Sequence, residues 1–219
     1  MSNVNPMLIS YQPMQMAIEQ TLEKIYHMRE INPNYSVIDL GGHMGGWSWP
    51  VCDLVVDIQS NPTDKTIPLD LCVPSDWNQL LRVVEQRGQK FNFAICTHTL
   101  EDLYDPIITL RRMPLVAHAG IISMPSLRTE LSHVENYHWL GYIHHRWIFD
   151  QVDGRMLVMP KLPFLEQRYQ QRVAFDPQIA EICYQWQHSL DFEIISNNFF
   201  PSAEAIVNMY DQAIHQALS

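Results

Sequence analysis

The chain is poor in cationic side chains and has no recognisable cysteine pairing, and each shortage excludes something. Lys and Arg number 14 against 24 Asp and Glu, a formal charge of -10 over 219 residues. Nonspecific nucleic-acid binding depends on clustered basic groups facing phosphates, so a broad nucleic-acid footprint is excluded. Cys52, Cys72, Cys96 and Cys183 fall at no metal-ligand or redox spacing, which leaves buried free thiols as the expected state. No apolar run approaches the ~20 residues of a membrane span. The first dozen residues lack the basic start and long apolar segment of a secretory signal, so a soluble, cytoplasmic chain without a membrane partner is expected. Charged residues make up only 17% and hydrophobic ones 47%, enough for a substantial core without staples. That length and composition suit one α/β domain with additions.

What is present is concentrated between Ser36 and Ile58. Two short apolar runs, Val37-Ile38-Asp39-Leu40 and Leu54-Val55-Val56-Asp57, flank a turn holding four of the chain's 8 glycines, Gly41, Gly42, Gly45 and Gly46. Parallel strands of a nucleotide-binding sheet look like this, with ligand contacts at their carboxyl ends. Glycines let the backbone take positive φ and approach a ligand closely, and an aspartate ending the second run can accept hydrogen bonds from ribose hydroxyls. The same glycines also suit an ordinary tight turn. Gly45, Gly46 and Pro50 leave little room for a full helix between the two runs, so the first crossover is expected to be short or non-helical. Trp47 and Trp49 are expected to supply the apolar cover that helix would have given, with ring stacking on a ligand as the alternative.

Elsewhere the patterning predicts an amphipathic helix over Pro13–Met28, with Met14, Ile18, Leu22 and Ile25 on the face that covers the first strand, a packing element. An extended piece ends at Asp70, and a helix over Asp76–Gln86 is capped by Ser75 or Asp76 and closed by Gly88. Phe91–Cys96 is a buried strand that delivers Thr97, His98, Glu101 and Asp102 to the same sheet edge. Asp105-Pro106 starts a further helix, cut by Pro114, and His118–Ser126 supplies the next strand.

Taken together, Val37–Gly42, Asp53–Asp57, Ile67–Leu71, Phe91–Pro106 and Ala119–Ser126 resemble class I S-adenosylmethionine-dependent methyltransferases. The likeness is to the small-molecule branch whose fourth strand ends in His-x-Leu-Glu-His-x-x-Asp-Pro. It covers about residues 36–126 in order, and implies a Rossmann-like doubly wound, mostly parallel sheet with S-adenosylmethionine across the strand ends. Residue by residue, it implies that Asp39, Gly41 and Gly42 lie beside the methionine moiety, with His43 where a third glycine is usual. It puts Asp57, followed by Ile58, at the ribose, Asp70 and the Leu71 backbone at adenine, and Thr97 and His98 on the floor where the methyl leaves. The second histidine of the motif is here Asp102. Acid–base work would fall to His98 as base with Glu101 holding its tautomer; Glu101 as a cap for the following helix is the other reading. Asp57 and Asp70 as mere strand terminators remain open too.

The last third holds a second cluster: His133, His138, His144 and His145, with Tyr137, Trp139, Tyr142, Arg146 and Trp147 among them. Leu140–Asp150 and Arg155–Pro160 are expected to form an antiparallel hairpin turning at Val152-Asp153-Gly154, with His144 and Arg146 on one face and His145 on the other. A similar His-His-Arg-Trp-Ile-Phe hairpin follows the core in some uncharacterised bacterial relatives, so the region resembles their acceptor-side insert, with no known substrate to inherit. The histidine spacing matches no standard zinc set, so no metal is assigned, with a metal-dependent hydrolase built on the cluster as a weaker alternative. Ser126, His144, His145 and Arg146 are instead candidates for a small-molecule or saccharide-like acceptor, through stacking and a guanidinium fork. Residues 167–172 read as a solvated connection or helix edge. A helix from Asp176 to Trp186, a short strand at Phe192–Ile195 and a last helix over Glu204–Leu218 complete the chain; that last helix packs on the core or on a second subunit, leaving a homodimer open. The expectation is one domain over 1–219: a cofactor-binding core (36–126), an acceptor-side hairpin insert (127–175) and a helical tail (176–219). Methyl transfer is the expected activity, with a catalytically lapsed binding or assembly module as the alternative that His43 raises.

Overall fold

The computed structural model describes residues 7–169, 173–195 and 203–218. The chain opens with β1 (Leu8–Gln12), α1 (Met14–Ile31), β2 (Val37–Leu40), β3 (Leu54–Val56) and β4 (Thr66–Ile67). It continues through α2 (Pro74–Arg87), β5 (Phe91–Thr97), α3 (Pro106–Val116), β6 (Ala117–Pro125) and the short α4 (Leu127–Glu130). A hairpin, β7 (Trp147–Val152) and β8 (Arg155–Pro160), is followed by α5 (Phe164–Arg168), β9 (Glu181–Gln187), β10 (Phe192–Ile194) and α6 (Ala203–Leu218).

The main sheet has 7 strands in the order β1-β9-β6-β5-β2-β3-β4. From β4 to β6 every pairing is parallel, and β9 runs antiparallel between β6 and β1. The expected doubly wound, mostly parallel sheet is therefore present. Strand alternation sorts the side chains onto two buried faces. Ile38, Leu54, Val56, Ala94 and Cys96 pack under α2 and α3 with Trp77, Leu80, Leu110 and Met113. Val37, Val55, Phe93, Ile95 and Ile121 face Ile25 of α1 and the Trp47 and Trp49 rings. Fully burying one such side chain stabilises the fold by about 1.5–3 kcal/mol. As the glycines and Pro50 predict, no helix forms between β2 and β3, and the two tryptophans supply part of the cover.

Several expectations need correction. Asp176-Pro177, read as the start of a long helix, yields only a 3-10 turn at Pro177–Ile179, with Asp176 accepting from the Gln178 amide. The residues that follow form β9, whose Ile182, Tyr184 and Trp186 alternate into the main core. β1 was not anticipated, and it closes the sheet edge by pairing with β9. The hairpin turns at Asp153 and Gly154, both at positive φ (50° and 74°), as a two-residue loop requires. Its first strand, however, begins at Trp147 rather than Leu140, so the alternation predicted for His144, His145 and Arg146 does not apply. No side chain caps α2: Val73 holds that position, and the Asp76 carboxylate accepts from the Asp70 amide. Gly88 closes α2 at φ 71° and Asp105 caps α3 as predicted, while Pro114 is carried inside the last turn of α3. The hairpin and β10 form a second, 3-stranded sheet, covered by α6 through Tyr210, Ala213 and Ile214. Gln170, Gln171 and Arg172 lie outside the described residues. No helix among the described residues is long and apolar enough to cross a membrane.

Candidate functional site

Alternation along β2, β5 and β6 sends Asp39, Thr97 and Ser123 to the α1 side of the sheet, just past the last apolar residues there. Where a crossover helix would have filled the space, a cavity of about 250 Å³ remains, and these three residues line it with Gly41, Gly42 and His98. Its outer wall is Met14, Ala17, Ile18 and Thr21 of α1, with Trp47 and Ser48 opposite. The first helix, read as packing alone, thus contributes directly to the site. Its signal was the polar Thr21 among the buried residues of an otherwise apolar face.

The glycine turn is shaped by its neighbours. Gly41 sits at φ 93° with its amide donating to the Val56 carbonyl at 2.7 Å, and a Cβ there would overlap the Thr99 side chain. A Cβ on Gly42 would overlap the Asp39 carboxylate. Asp39 is 3% exposed and accepts from the Ser48 hydroxyl. Burial pushes its carboxyl up to about 7, against the pull of that hydrogen bond, and the nearby Asp57 charge pushes the same way.

On the other side of Gly41 and His43 lies an open depression of about 460 Å³ lined by Asp57, Gln59, Ser60 and Asn61. The exposed His43 ring therefore stands between the two compartments. Asp57 Oδ1 accepts from the Gln59 amide at 2.7 Å, and Ile58 is 61% exposed and lines neither hollow. Asp70 and Leu71 line neither: the Asp70 carboxylate accepts from the Cys72 amide at 2.8 Å, and the crevice they border with Trp77 and Leu80 is too narrow to admit a water molecule. The structure thus brings Asp39, Gly41, Gly42, His43, Thr97 and His98 together, sets Asp57 alongside, and leaves Asp70 and Leu71 apart.

His98 follows β5 at φ 49°, a conformation non-glycine residues rarely adopt, with its amide donating to the Ser123 carbonyl at 2.9 Å. Its ring lies between two buried carboxylates, Nδ1 at 3.5 Å from Glu101 Oε1 and Nε2 at 3.0 Å from Glu181 Oε2. The Glu181 contact is close but poorly aligned, and neither Glu101 oxygen nor Glu181 Oε2 accepts a hydrogen bond among the described residues. Burial pulls the His98 pKa down, but Glu181 first and then Glu101 and Asp102 overcome it, so the net shift is upward. Glu101 is pushed up to about 7, mainly by burial, with His98 opposing. It caps no helix, since Asp105 holds that position on α3. Glu181 escaped the sequence reading because it lay inside the misassigned helix.

The acceptor-side candidates separate. Ser126 is fully buried, capping α4 through the Thr129 amide and donating to the Ile179 carbonyl at 2.8 Å. Arg146 is exposed, and its amide donates to the Glu101 carbonyl at 2.7 Å, which ties the loop before β7 to the His98 side of the site. His144 is exposed and His145 buried, their rings 4.5 Å apart edge to face, and both approach Asp102.

No protein-family model matches the chain, and no curated protein matches it significantly. Among solved structures it is similar to the N-terminal domain of EvdMO1 with SAH bound, at 11% identity and a TM-score of 0.38, over 75% of this chain and 79% of that one. It is also similar to a SAM-dependent methyltransferase from Thermotoga maritima, described as a possible histamine N-methyltransferase, at 11% identity and a TM-score of 0.37, over 79% of this chain and 92% of that one. At these scores the likenesses carry no weight, and the functional reading rests on the chain's own residues.

Proposed function

We propose that this chain binds S-adenosylmethionine at the ends of β2, β3 and β5 and transfers its methyl group to a small-molecule or saccharide-like acceptor. The observation that carries the reading is the cavity in which a glycine cradle and a buried carboxylate meet a histidine backed by two carboxylates. The cradle fits the group, because Gly41 and Gly42, where packing against Thr99 and Asp39 leaves no room for a Cβ, present bare backbone to the cavity they line. Asp39 and the glycine backbone would hold the amino-acid end, and Asp57 the ribose; Asp70 and Leu71 offer adenine no space in this conformation.

When bound, the cofactor supplies an electrophilic sulfonium methyl. The chain's part is positioning and proton handling. Ile121, Trp47 and the α1 residues wall the cavity against water, and the ends of β2 and β5 fix the approach line. His98, with Glu101 and Glu181 beside its two nitrogens, can accept the acceptor's proton at one nitrogen while a carboxylate stabilises the imidazolium. Tyr142 and the exposed His144 ring, 6.0 Å apart, suit the face of a sugar.

Calorimetric titration of the full chain with S-adenosylmethionine and with its demethylated product tests the reading. Both are expected to bind, and His98→Asn is expected to retain binding while release of the demethylated product slows about 10²–10⁴-fold. No heat from either compound at millimolar concentration removes the proposal. Binding without turnover, unchanged by His98→Asn, points instead to the lapsed binding module.

A further inference from the structure

Asp102, His144 and His145 come from two parts of the chain, the turn after β5 and the loop before β7, yet they converge. His144 Nε2 lies 3.8 Å and His145 Nε2 4.0 Å from Asp102 Oδ1, and one ligand atom from each of the three lies within 4.8 Å of the others. These separations are too long for hydrogen bonds. They are close to the ~3.4 Å that ligand atoms keep around a tetrahedral ion bonded at ~2.1 Å. Three donors thus face one another around a common centre without satisfying one another.

The second observation is the support behind His145. Its Nδ1 contacts Glu130 Oε1 at 2.6 Å, and both side chains are almost wholly buried. Lys161 Nζ holds the other Glu130 oxygen at 2.7 Å and donates to the carbonyls of Leu140 and Tyr142 at 2.9 and 2.7 Å. Gly141 lies so close to Glu130 that a Cβ there would overlap its carboxylate. The loop bearing the two histidines is thus built around Glu130. A proton on Nδ1, shared with Glu130, leaves the Nε2 lone pair turned toward Asp102 and His144. A carboxylate behind a ligating imidazole is the usual second layer of a metal site.

We infer that Asp102, His144 and His145 form a binding site for a divalent first-row transition metal of the zinc class, with its remaining coordination positions open to solvent. Two imidazoles and one carboxylate favour such an ion over magnesium or calcium, which prefer all-oxygen sets. Asp102 and His144 are 45% and 58% exposed in their side chains, so an ion has an entry path and room for a further ligand. Only the role rests on the proposed function: the site adjoins Glu101 and His98, where a bound ion would hold an acceptor oxygen. Binding of the ion does not depend on that reading.

The test is a titration of the chelator-treated full chain with Zn²⁺, and with Co²⁺ read by its visible absorption, in the absence of any cofactor. One ion per chain is expected, with at least ~10-fold weaker binding in His144→Ala and in Asp102→Asn, both exposed positions whose substitution spares the core. Mg²⁺ is expected not to compete. Absence of stoichiometric Zn²⁺ and Co²⁺ binding overturns the inference, as does binding undiminished in both variants, which would place the ion elsewhere. Since no cofactor is present, neither result depends on whether S-adenosylmethionine binds.

Discussion

Asp39→Asn should make the protein more stable and worse at its proposed task. The carboxyl is 3% exposed, and burial lifts its pKa from 3.8 to about 7. Between those values the folded chain keeps a proton that the unfolded chain has released, so stability falls as pH rises through that window and is lowest above it. Three pH units at about 1.36 kcal/mol each give an upper bound of about 4 kcal/mol, the cost of holding Asp39 ionised at pH 8. Asparagine has nearly the same shape, can still accept from the Ser48 hydroxyl, and never ionises. Urea unfolding at pH 5, 6, 7 and 8 should show the variant's lead growing with pH, from no more than about 2 kcal/mol at pH 5 to roughly 2–4 kcal/mol at pH 8. Glu101, raised from 4.5 to about 7, keeps a residual slope of the same sign in the variant. His98, whose pKa is also raised, adds to it, because its stabilising charge is present at low pH and lost as pH climbs through the folded-state value. Parallel pH profiles for the two proteins, or a variant less stable at pH 8, would refute the reasoning. S-adenosylmethionine affinity is expected to fall in the variant; a costly buried carboxylate retained beside a cavity is what a site that trades stability for binding looks like.

Gly42→Ala should cost about 1–3 kcal/mol by denaturant unfolding and abolish calorimetric ligand binding, because the new methyl takes the place of the Asp39 carboxylate. Ser126→Ala should cost about 1 kcal/mol through loss of the α4 cap and leave ligand affinity unchanged, as its hydroxyl is spent within the fold; a changed affinity would restore it as a contact residue. His43→Gly should join the two hollows on either side of its ring and tighten adenosine binding, read by calorimetry, whereas weakened binding would mean the imidazole is itself a contact.

Sheet and site were unequally legible in the sequence. Strands buried on both faces are written as short unbroken apolar runs, so Val37–Leu40, Leu54–Val56 and Phe91–Cys96 could be read directly, and their carboxyl ends pointed to Asp39, Asp57 and His98. β9 was obscured because Asp176-Pro177 is a strong helix-start signal, here spent on a single turn, although Ile182, Tyr184 and Trp186 recur at every second residue. β1, with Leu8 61% exposed, carries the weak pattern of an edge strand. The convergence of Asp102 with His144 and His145 bridges about forty residues of chain. No local spacing encodes it, since it depends on the Arg146 and Trp147 amides docking on the Glu101 carbonyl. Asp70 shows the limit of strand-end logic: the same Asp-at-the-end pattern here makes a local turn with Cys72.

The antiparallel strand between β6 and β1 has a temporal implication. Its residues, Glu181–Gln187, pair with Ala119–Pro125 on one side and Leu8–Gln12 on the other, so an interior position of the sheet is filled by a segment that leaves the ribosome after both of its neighbours. Until it emerges, β6 has an open flank and β1 has no partner on the sheet. Joining Gln12 to Glu181 also spans more of the chain than any other strand pairing among the described residues, a slow step for a nascent polypeptide. A chain stalled after β6 has emerged but before Glu181 would therefore expose a bare β6 edge, the kind of surface that chaperones cover and aggregates extend.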